Sequence, residues 1–405
     1  MRNKCIKNIY LILSLWLLTV TIYADGQEKN MTIEPHKFYN TFMPILATNP
    51  TYGTMYGVAA SSGIYLGDIV TTKMSNIAAT ATYTSKHQKL FTLKGTGYSE
   101  NNEWMILGDA RLFYTSQSTY GLGTGPLPNG DKQSDSTYDK DAQLMDFDMY
   151  RIHLTGLKQI KPSFYIGLGY KYDKYSNIID TDLNLSEEGK HLTSHYIYSM
   201  AHGFDTDSYT LSGVSLDAIY DTRDNVSNPY TGRYAYASFS YYPEFLGSDK
   251  KSSTLWLEYR DYYSMDKQDP RKLLALWSYA NFVTSGDMPY MDLPAVGWDQ
   301  YGRSGRAYTQ GRFRGEDIFY TELEYRIPLK LSKKHPKRYG MTLFANVTST
   351  SDKARDQKLF DYLEPAAGIG LRVMVNEQSR ANIAIDYAVG VNGKGSVYLN
   401  INEAF

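Results

Sequence analysis

Histidines are the side chains in this sequence best suited to acid-base or metal chemistry, and there are seven of them. His153 lies inside a segment of alternating polar and apolar residues and shares a face with Arg151. A neighbouring guanidinium makes a histidine a poor base, so this pair is typical of a polar wall. A second polar group falls in one long predicted loop and comprises His191, His195, His202, Asp205 and Asp207. Its spacing favours adventitious metal binding at most, so we predict no catalytic residue, metal site, cofactor or enzymatic activity.

The single cysteine and one glycine-rich segment could also support chemistry. Cys5 precedes an apolar run, so removal of a signal peptide would remove this thiol and any disulfide with it. The glycines of residues 121–130 (GLGTGPLPNG) follow a predicted strand but precede Pro, Asp and Ser. A phosphate-binding loop needs a helix N-terminus after its glycines, so this segment is predicted to be an ordinary loop.

Charge and hydropathy exclude two classes of protein. Lys and Arg number 42 against 43 Asp and Glu, and the net charge of −1 gives no field that would attract nucleic acid. A mean hydropathy of −0.44 excludes a polytopic helical membrane protein. A large soluble chain and a chain that meets lipid only with every second strand residue remain open. The 38 tyrosines suit the second class, because their rings are apolar and their hydroxyls polar.

The first residues indicate export. Arg2, Lys4 and Lys7 precede an apolar run over residues 9–20, and Ala24 ends a stretch of small and apolar residues. This order is typical of a secretory signal, so we predict a signal peptide at 1–24 and a short periplasmic segment at 25–37. An uncleaved anchor helix is the alternative, although the apolar run is short for a membrane span.

The elements that must position any functional side chain are β-strands. From residue 38 onward, segments alternate apolar with polar or small residues, as in IFYTELEYRIPL (318–329). About sixteen such segments begin near Phe38, Gly53, Asn76, Leu90, Glu103, Phe147, Phe164, Tyr209, Arg233, Thr254, Leu273, Asp317, Tyr339, Pro365, Arg380 and Ser396. We predict an all-β fold in which residues 38–405 form a 16-stranded antiparallel transmembrane barrel. A soluble secreted β-sandwich or β-helix is the alternative.

The gaps between the predicted strands support this count. The four longest gaps span residues 115–146, 174–208, 285–316 and 348–364, and all of them are odd-numbered. With a periplasmic N-terminus, odd gaps face outward, where bacterial outer-membrane barrels carry their long loops. The final segment SVYLNINEAF places Leu399, Ile401 and Phe405 on one predicted face, which Glu403 interrupts.

Several segments together resemble one family. The segments 220–249 (YDTRDNVSNPYTGRYAYASFSYYPEFLGSD), 257–263 (LEYRDYY) and 305–329 (GRAYTQGRFRGEDIFYTELEYRIPL) are similar to the bacterial surface antigen barrel of the BamA/TamA-like outer-membrane assembly superfamily. The resemblance implies a sixteen-stranded barrel with a long inward-folded loop between strands 11 and 12. It also implies that the aromatic C-terminal strand is a signal read by the outer-membrane assembly machinery. Only about a dozen residues separate Ala24 from the first predicted strand, so the resemblance is to members that lack periplasmic POTRA domains.

The resemblance further implies an arginine that holds the inward loop to the barrel wall. The family motif Arg-Gly-aromatic appears as Arg306-Ala307-Tyr308, and a second register is Phe313-Arg314-Gly315. The wall motif of strand 13 appears as FANVT (344–348), with Asn346 in place of the expected carboxylate. An amide cannot supply a charge-assisted bond, so Glu322, Glu324 and Asp386 are the predicted arginine partners on lumen faces. Alternatively, these charges only solvate a wide polar lumen.

The implied function is a plugged conduit that inserts or transports protein or lipid at the outer membrane of a Gram-negative bacterium. Its expected partners are outer-membrane lipid, the assembly machinery during biogenesis, and a protein or lipid client. A structural or surface-interaction barrel without transport activity is the alternative. A short ladder between the first and last strands would favour the conduit, because it could open sideways.

Overall fold

The computed structural model describes residues 34–125, 142–186, 190–300, 302–377, 380–391, 393 and 395–405. The predicted signal peptide and most of the predicted periplasmic segment lie outside the described residues, as does part of the glycine-rich loop. Among the residues that the structure describes, no helix is long and apolar enough to cross a membrane.

Sixteen antiparallel strands form one closed barrel in sequence order, which confirms the predicted fold class. The strands are β1 (Tyr39–Asn49), β2 (Gly53–Ile64), β3 (Ser75–Thr84), β4 (Lys89–Tyr98), β5 (Trp104–Thr119), β6 (Gln143–Lys161), β7 (Phe164–Asp180), β8 (Tyr209–Asp221), β9 (Gly232–Tyr242), β10 (Ser252–Ser264), β11 (Leu273–Gly286), β12 (Asp317–Leu329), β13 (Tyr339–Thr350), β14 (Glu364–Asn376), β15 (Ala381–Gly390) and β16 (Gly395–Ile401).

Alternation along each strand produces two unlike surfaces. On β12, Leu323 is 50% exposed on the outer face, whereas Glu322 and Glu324 are buried on the inner face. Successive side chains of a strand point to opposite faces, so the period-2 pattern gives an apolar exterior and a polar lumen. The same rule places Arg151 and His153 of β6 in the lumen. Both bind Asp173 of β7, His153 at 2.7 Å.

Strand length varies around the barrel. β5, β6 and β7 have 16, 19 and 17 residues, whereas β15 and β16 have 10 and 7. The wall is therefore tall on the side of β6 and short where the first and last strands meet.

The seam between β1 and β16 is much less extensively paired than the other strand junctions. Its register consists of the pair Thr48↔Leu399. By contrast, β1 pairs with β2 along its whole length, from Tyr39↔Gly63 to Asn49↔Gly53. Few backbone hydrogen bonds therefore close the barrel at the seam.

The last four residues leave the wall, so the prediction that Phe405 shares a face with Leu399 and Ile401 is wrong. β16 ends at Ile401, and Asn402 adopts a left-handed conformation with φ 67°. Phe405 is buried in the lumen with its ring 5.3 Å from the Trp277 ring, so it does not share the outer face with Leu399 and Ile401. The physical reason is Glu403, whose carboxylate accepts hydrogen bonds from Arg372 and Asn382 inside the barrel.

Residues 287–300 and 302–316, between β11 and β12, fold into the lumen and are called the inward loop below. Its buried apolar side chains larger than alanine are Met288, Tyr290, Met291, Leu293, Val296, Tyr308 and Phe313. Val296, Tyr308 and Phe313 pack with lumen-facing Trp277 and Tyr320 in one apolar cluster. The loop thus adds a hydrophobic core to the lumen and packs on apolar side chains of the wall.

A short helix, α1 (Ser194–His202), lies in the gap between β7 and β8 and packs on the inward loop. The Thr193 side chain caps its first turn, and Gly203 ends it in a left-handed conformation. The Tyr198 hydroxyl donates to the carbonyl of Met288 at 3.0 Å. His195 is buried and contacts Asp180 at 3.0 Å. Within the described residues, no three His, Cys, Asp or Glu side chains could hold a metal ion together.

Candidate functional site

Alternation on two strands places three carboxylates in one part of the lumen. Glu322 and Glu324 are two residues apart on β12, so both point inward, and Asp386 points inward from β15. All three side chains are buried, and such a group is costly unless cations neutralise it. Arg306 of the inward loop brings a guanidinium into the centre of this group.

Arg306 contacts all three carboxylates. Its Nε and Nη2 donate to Glu322 at 3.2 and 2.5 Å, and its Nη1 donates to Asp386 at 2.9 Å. Nη2 also donates to Glu324. The planar guanidinium lies over the Phe344 ring, 3.5 Å from its centroid. Such a planar fork can bind several carboxylates at once, which an ammonium group cannot do with the same geometry.

Asn346 contributes differently from the carboxylate that it replaces. Its amide donates to the backbone carbonyl of Arg306 at 3.0 Å and to Glu322 at 3.3 Å. It therefore holds the backbone of the inward loop, while the wall carboxylates bind the guanidinium.

The two residues after Arg306 attach the loop to other strands. Ala307 has φ 103°, a conformation that L-residues rarely adopt and that glycine adopts easily. Its N–H donates to the Tyr398 hydroxyl at 3.0 Å, and that hydroxyl donates to the Tyr308 carbonyl at 3.0 Å. The Tyr308 hydroxyl donates to the carbonyl of Pro365 at 2.7 Å. The loop is thus bonded to β14 and β16 as well as to β12.

The second predicted register, Arg314-Gly315, lies at the base of the loop. Arg314 Nη1 donates to the carbonyls of Tyr290, Met291 and Leu293, at 2.9, 2.9 and 3.3 Å. A Cβ on Gly315 would lie 2.1 Å from the Ser351 carbonyl oxygen, so a side chain would not fit there. Arg314 therefore closes the loop on itself, whereas Arg306 contacts the wall.

Two more arginines extend the charged group, and the sequence analysis did not identify them. Arg326 binds Glu324 at 2.7 Å and donates to the Phe405 carbonyl at 3.0 Å. Arg372 binds Asp386 at 2.5 Å and Glu403 at 2.7 Å. The lumen cluster, as named here, consists of Arg306, Arg326, Arg372, Glu322, Glu324, Asp386 and Glu403. Arg326 lies on β12 and Arg372 on β14, and the alternation of both strands places them on the lumen face. The signal that located the carboxylates could therefore have located these arginines as well.

The inward loop also holds the C-terminal residues directly. Arg303 Nη2 donates to the Ile401 carbonyl at 2.7 Å, and its Nη1 donates to the Glu403 carbonyl. The lumen cluster thus joins three parts of the chain, which are the loop, the wall of β12 to β15, and the tail after β16. Its chemistry is the formation of ion pairs and hydrogen bonds, which can hold or release the loop.

Solved structures with a similar fold include one of BamA and two of CdiB. The chain is similar to BamA from Haemophilus ducreyi lacking POTRA domains 1–3, with 13% identity, a TM-score of 0.59, and coverage of 90% of this chain and 70% of that one. It is also similar to CdiB from Acinetobacter baumannii, with 11% identity, a TM-score of 0.50, and coverage of 90% and 59%.

A third similar structure is CdiB from Escherichia coli, with 9% identity, a TM-score of 0.50, and coverage of 92% of this chain and 63% of that one. The chain therefore spans less than two thirds of either CdiB structure. No curated protein sequence matches the chain. A sequence profile of the Omp85 superfamily domain matches residues 75–405, which is most of the chain. Together with the sixteen-stranded barrel, this match shows that the chain belongs to the Omp85 superfamily.

Proposed function

We propose that this barrel resides in the outer membrane of a Gram-negative bacterium and assembles or translocates other molecules there. Membership of the Omp85 superfamily and the BamA-like barrel support this proposal. Residues 1–24 would direct export and be removed, and residues 38–405 would span the membrane. The aromatic C-terminal segment, with Leu399, Ile401 and Phe405, would be read by the assembly machinery during biogenesis. No catalytic step forms part of the proposal.

The seam is the observation that carries the proposal furthest. Each pair of strands in a barrel wall is closed by a ladder of backbone hydrogen bonds, and the free energy needed to part them grows with its length. Thr48↔Leu399 is the paired position at the seam, whereas β5 and β6 pair from Trp104↔Lys158 to Thr119↔Gln143. The wall should therefore open first between β1 and β16, which would give a protein or lipid client a lateral path into the bilayer.

The inward loop would determine when this path is available. Arg306 attaches the loop to the wall beside the seam, and Tyr398 of β16 bonds to the backbone of Ala307 and Tyr308. When β1 and β16 part, these contacts must either break or move together with β16. The position of the inward loop would therefore be coupled to the opening of the seam. In this proposal the loop is held by four of its own residues, Arg306, Tyr308, Arg314 and Gly315. The wall carboxylates and Asn346 are the groups on the wall that bind it.

A disulfide across the seam tests the proposal. Thr48→Cys and Leu399→Cys lie opposite each other, and removal of residues 1–24 would leave no other thiol. In the native host, in a strain whose growth or outer-membrane composition depends on this chain, we expect the oxidised variant to fail. Reduction should restore function. Protein and lipid composition of the isolated outer membrane is the measurement.

The matched control is a disulfide across a continuous ladder. Ala237→Cys and Leu257→Cys lie opposite each other on β9 and β10, in an unbroken run of pairs. This disulfide should leave function unchanged, because those strands need not part. Full activity with the seam oxidised would contradict lateral opening and favour a structural or surface-interaction barrel instead.

A further inference from the structure

The turn between β12 and β13 carries a concentration of positive charge that the proposed function does not use. Residues 330–338 read KLSKKHPKR, with five Lys or Arg, one His and no acidic residue. The turn lies at the end of the barrel where β16 ends, which is the periplasmic end if the long gaps face outward. Lys330, Lys333 and Lys334 are exposed.

The negative charges around this turn are already engaged. Asp269 in the neighbouring turn binds Arg271 at 2.6 and 2.8 Å, and Glu377 binds Lys337 at 3.3 Å. Within the described part of the chain, the ammonium groups of Lys333 and Lys334 form no ion pair or hydrogen bond. The barrel therefore leaves a local excess of positive charge on this rim.

The turn is held in place rather than trailing from the barrel. Arg271 Nη1 donates to the carbonyl of Lys337 at 2.7 Å, and the Met374 N–H donates to the carbonyl of Arg338 at 2.7 Å. The two neighbouring segments thus fix the backbone that carries the lysines. A preorganised cationic surface loses less conformational entropy when it binds an anion.

The exposed side chain of Leu331 favours a phospholipid over other anions that the lysines could bind. Leu331 is 71% exposed and lies two residues beyond Leu329, which ends the outward row of β12. This outward row faces acyl chains in a membrane, and lysines beside it can reach headgroup phosphates with their long side chains. An acidic protein segment would explain the lysines but not an exposed leucine next to the lipid-facing row.

We propose that Lys330, Lys333 and Lys334, together with Leu331, bind the phosphate headgroups of anionic phospholipids in the periplasmic leaflet. The inference rests on the proposed outer-membrane location and is independent of what the barrel inserts or transports. Juxtamembrane lysines attract anionic lipid additively, so this surface should hold the barrel at a fixed depth and enrich anionic lipid beside β12 and β13.

Lipid binding by the purified full-length protein in neutral detergent tests the proposal. Native mass spectrometry would count the lipid molecules retained during titration with phosphatidylglycerol or with phosphatidylcholine of the same chains. We expect a preference for phosphatidylglycerol, and Lys330→Gln, Lys333→Gln and Lys334→Gln together should weaken its retention about tenfold or more. Heat-dependent migration on gels would verify that each variant is folded.

The control removes the same charge from the other end of the barrel. Lys190→Gln, Lys251→Gln and Lys358→Gln replace three exposed lysines in outward gaps and should leave retention unchanged. Equal losses in both triple variants, or no preference for phosphatidylglycerol in the parent protein, would overturn the proposal. Since no client is involved, failure here would not bear on lateral opening.

Three further measurements distinguish a phospholipid headgroup from free phosphate and from an acidic protein segment. Leu331→Ser should weaken retention of phosphatidylglycerol, because the acyl chains lose a contact. Inorganic phosphate and a soluble polyglutamate peptide should neither bind this turn nor displace the lipid. Displacement by phosphate would identify a free-phosphate site, and lysine-dependent binding of polyglutamate without a lipid preference would identify an acidic protein partner. Either result would refute the lipid assignment.

Discussion

At the scale of single residues, the guanidinium of Arg306 keeps three buried carboxylates from repelling one another. Glu322, Glu324 and Asp386 all contact it, and Arg326 and Arg372 neutralise the outer sides of the group. A buried ion pair of this kind contributes little net stability compared with an apolar replacement, but removal of one partner is costly. Arg306 is therefore best understood as a latch that fixes the position of the loop.

Arg306→Ala should lower stability and open the lumen. Loss of the guanidinium leaves uncompensated buried carboxylates, a change that costs about 3–5 kcal/mol in comparable sites. We expect a lower temperature for loss of the compact band in heat-modifiability gels and a higher single-channel conductance in planar bilayers.

Arg306→Lys is the matched variant for this latch. It keeps the charge but loses the planar fork, so it should restore part of the thermal stability and less of the loop closure. Unchanged heat resistance and conductance in Arg306→Ala would contradict the latch and favour the interpretation that these charges only solvate the lumen.

Ala307→Gly should stabilise the protein. At φ 103° an alanine is strained by about 1–3 kcal/mol, and glycine removes that strain while adding about 0.5–1 kcal/mol of unfolded-state entropy. The expected net gain is about 1 kcal/mol, measured as a higher midpoint of thermal unfolding. Ala295 of the same loop has no positive φ, so Ala295→Gly should destabilise. A lower midpoint for Ala307→Gly would count against strain at this position.

Alternation predicted the lumen positions of Glu322, Glu324 and Asp386, because the face of a strand residue follows from its register. It could not predict which arginine reaches them. The path of the inward loop depends on contacts distant in sequence, such as the bond between Ala307 and Tyr398, and no local period encodes these. The substitution of Asn346 was visible in the sequence, but its bond to the Arg306 carbonyl was not.

At the scale of elements, the tail after β16 shows where a period-2 pattern stops being informative. Val397, Leu399 and Ile401 continue the outward row, and extending this row places Phe405 outside. The interruption at Glu403 was the local signal of a change. A carboxylate that finds Arg372 inside the barrel turns the chain inward and carries the following aromatic residue with it.

Arg303→Ala should loosen this tail. Arg303 donates to two tail carbonyls, so its loss leaves the tail bonded mainly through Glu403 and Arg326. We expect carboxypeptidase to remove Phe405 from the folded variant faster than from the parent protein. Arg233→Ala removes an exposed arginine on β9 and should leave the rate unchanged. Equal rates for the parent and both variants would show that Arg303 does not hold the tail.

At the scale of the whole molecule, strand number and the direction of the gaps could be predicted because both follow from counting. Every long gap of the prediction corresponds to an odd-numbered connection in the barrel, although β6 begins at Gln143 rather than near Phe147. The extent of the seam could not be predicted. The alternating pattern of β1 and β16 shows which faces they present but not how many residues of each strand lie opposite the other.

The unequal strand lengths have a consequence for the surrounding bilayer. At about 3.3 Å per residue and a tilt of about 45°, the seven residues of β16 span about 16 Å, well short of a hydrocarbon core of about 30 Å. Hydrophobic mismatch of this size is relieved when the bilayer thins. We expect electron cryomicroscopy of the barrel in nanodiscs to show a bilayer several ångströms thinner beside β16 than beside β6, and uniform thickness would contradict this. Lipid next to the seam would then be strained before any client arrives, which lowers the barrier to insertion at that place.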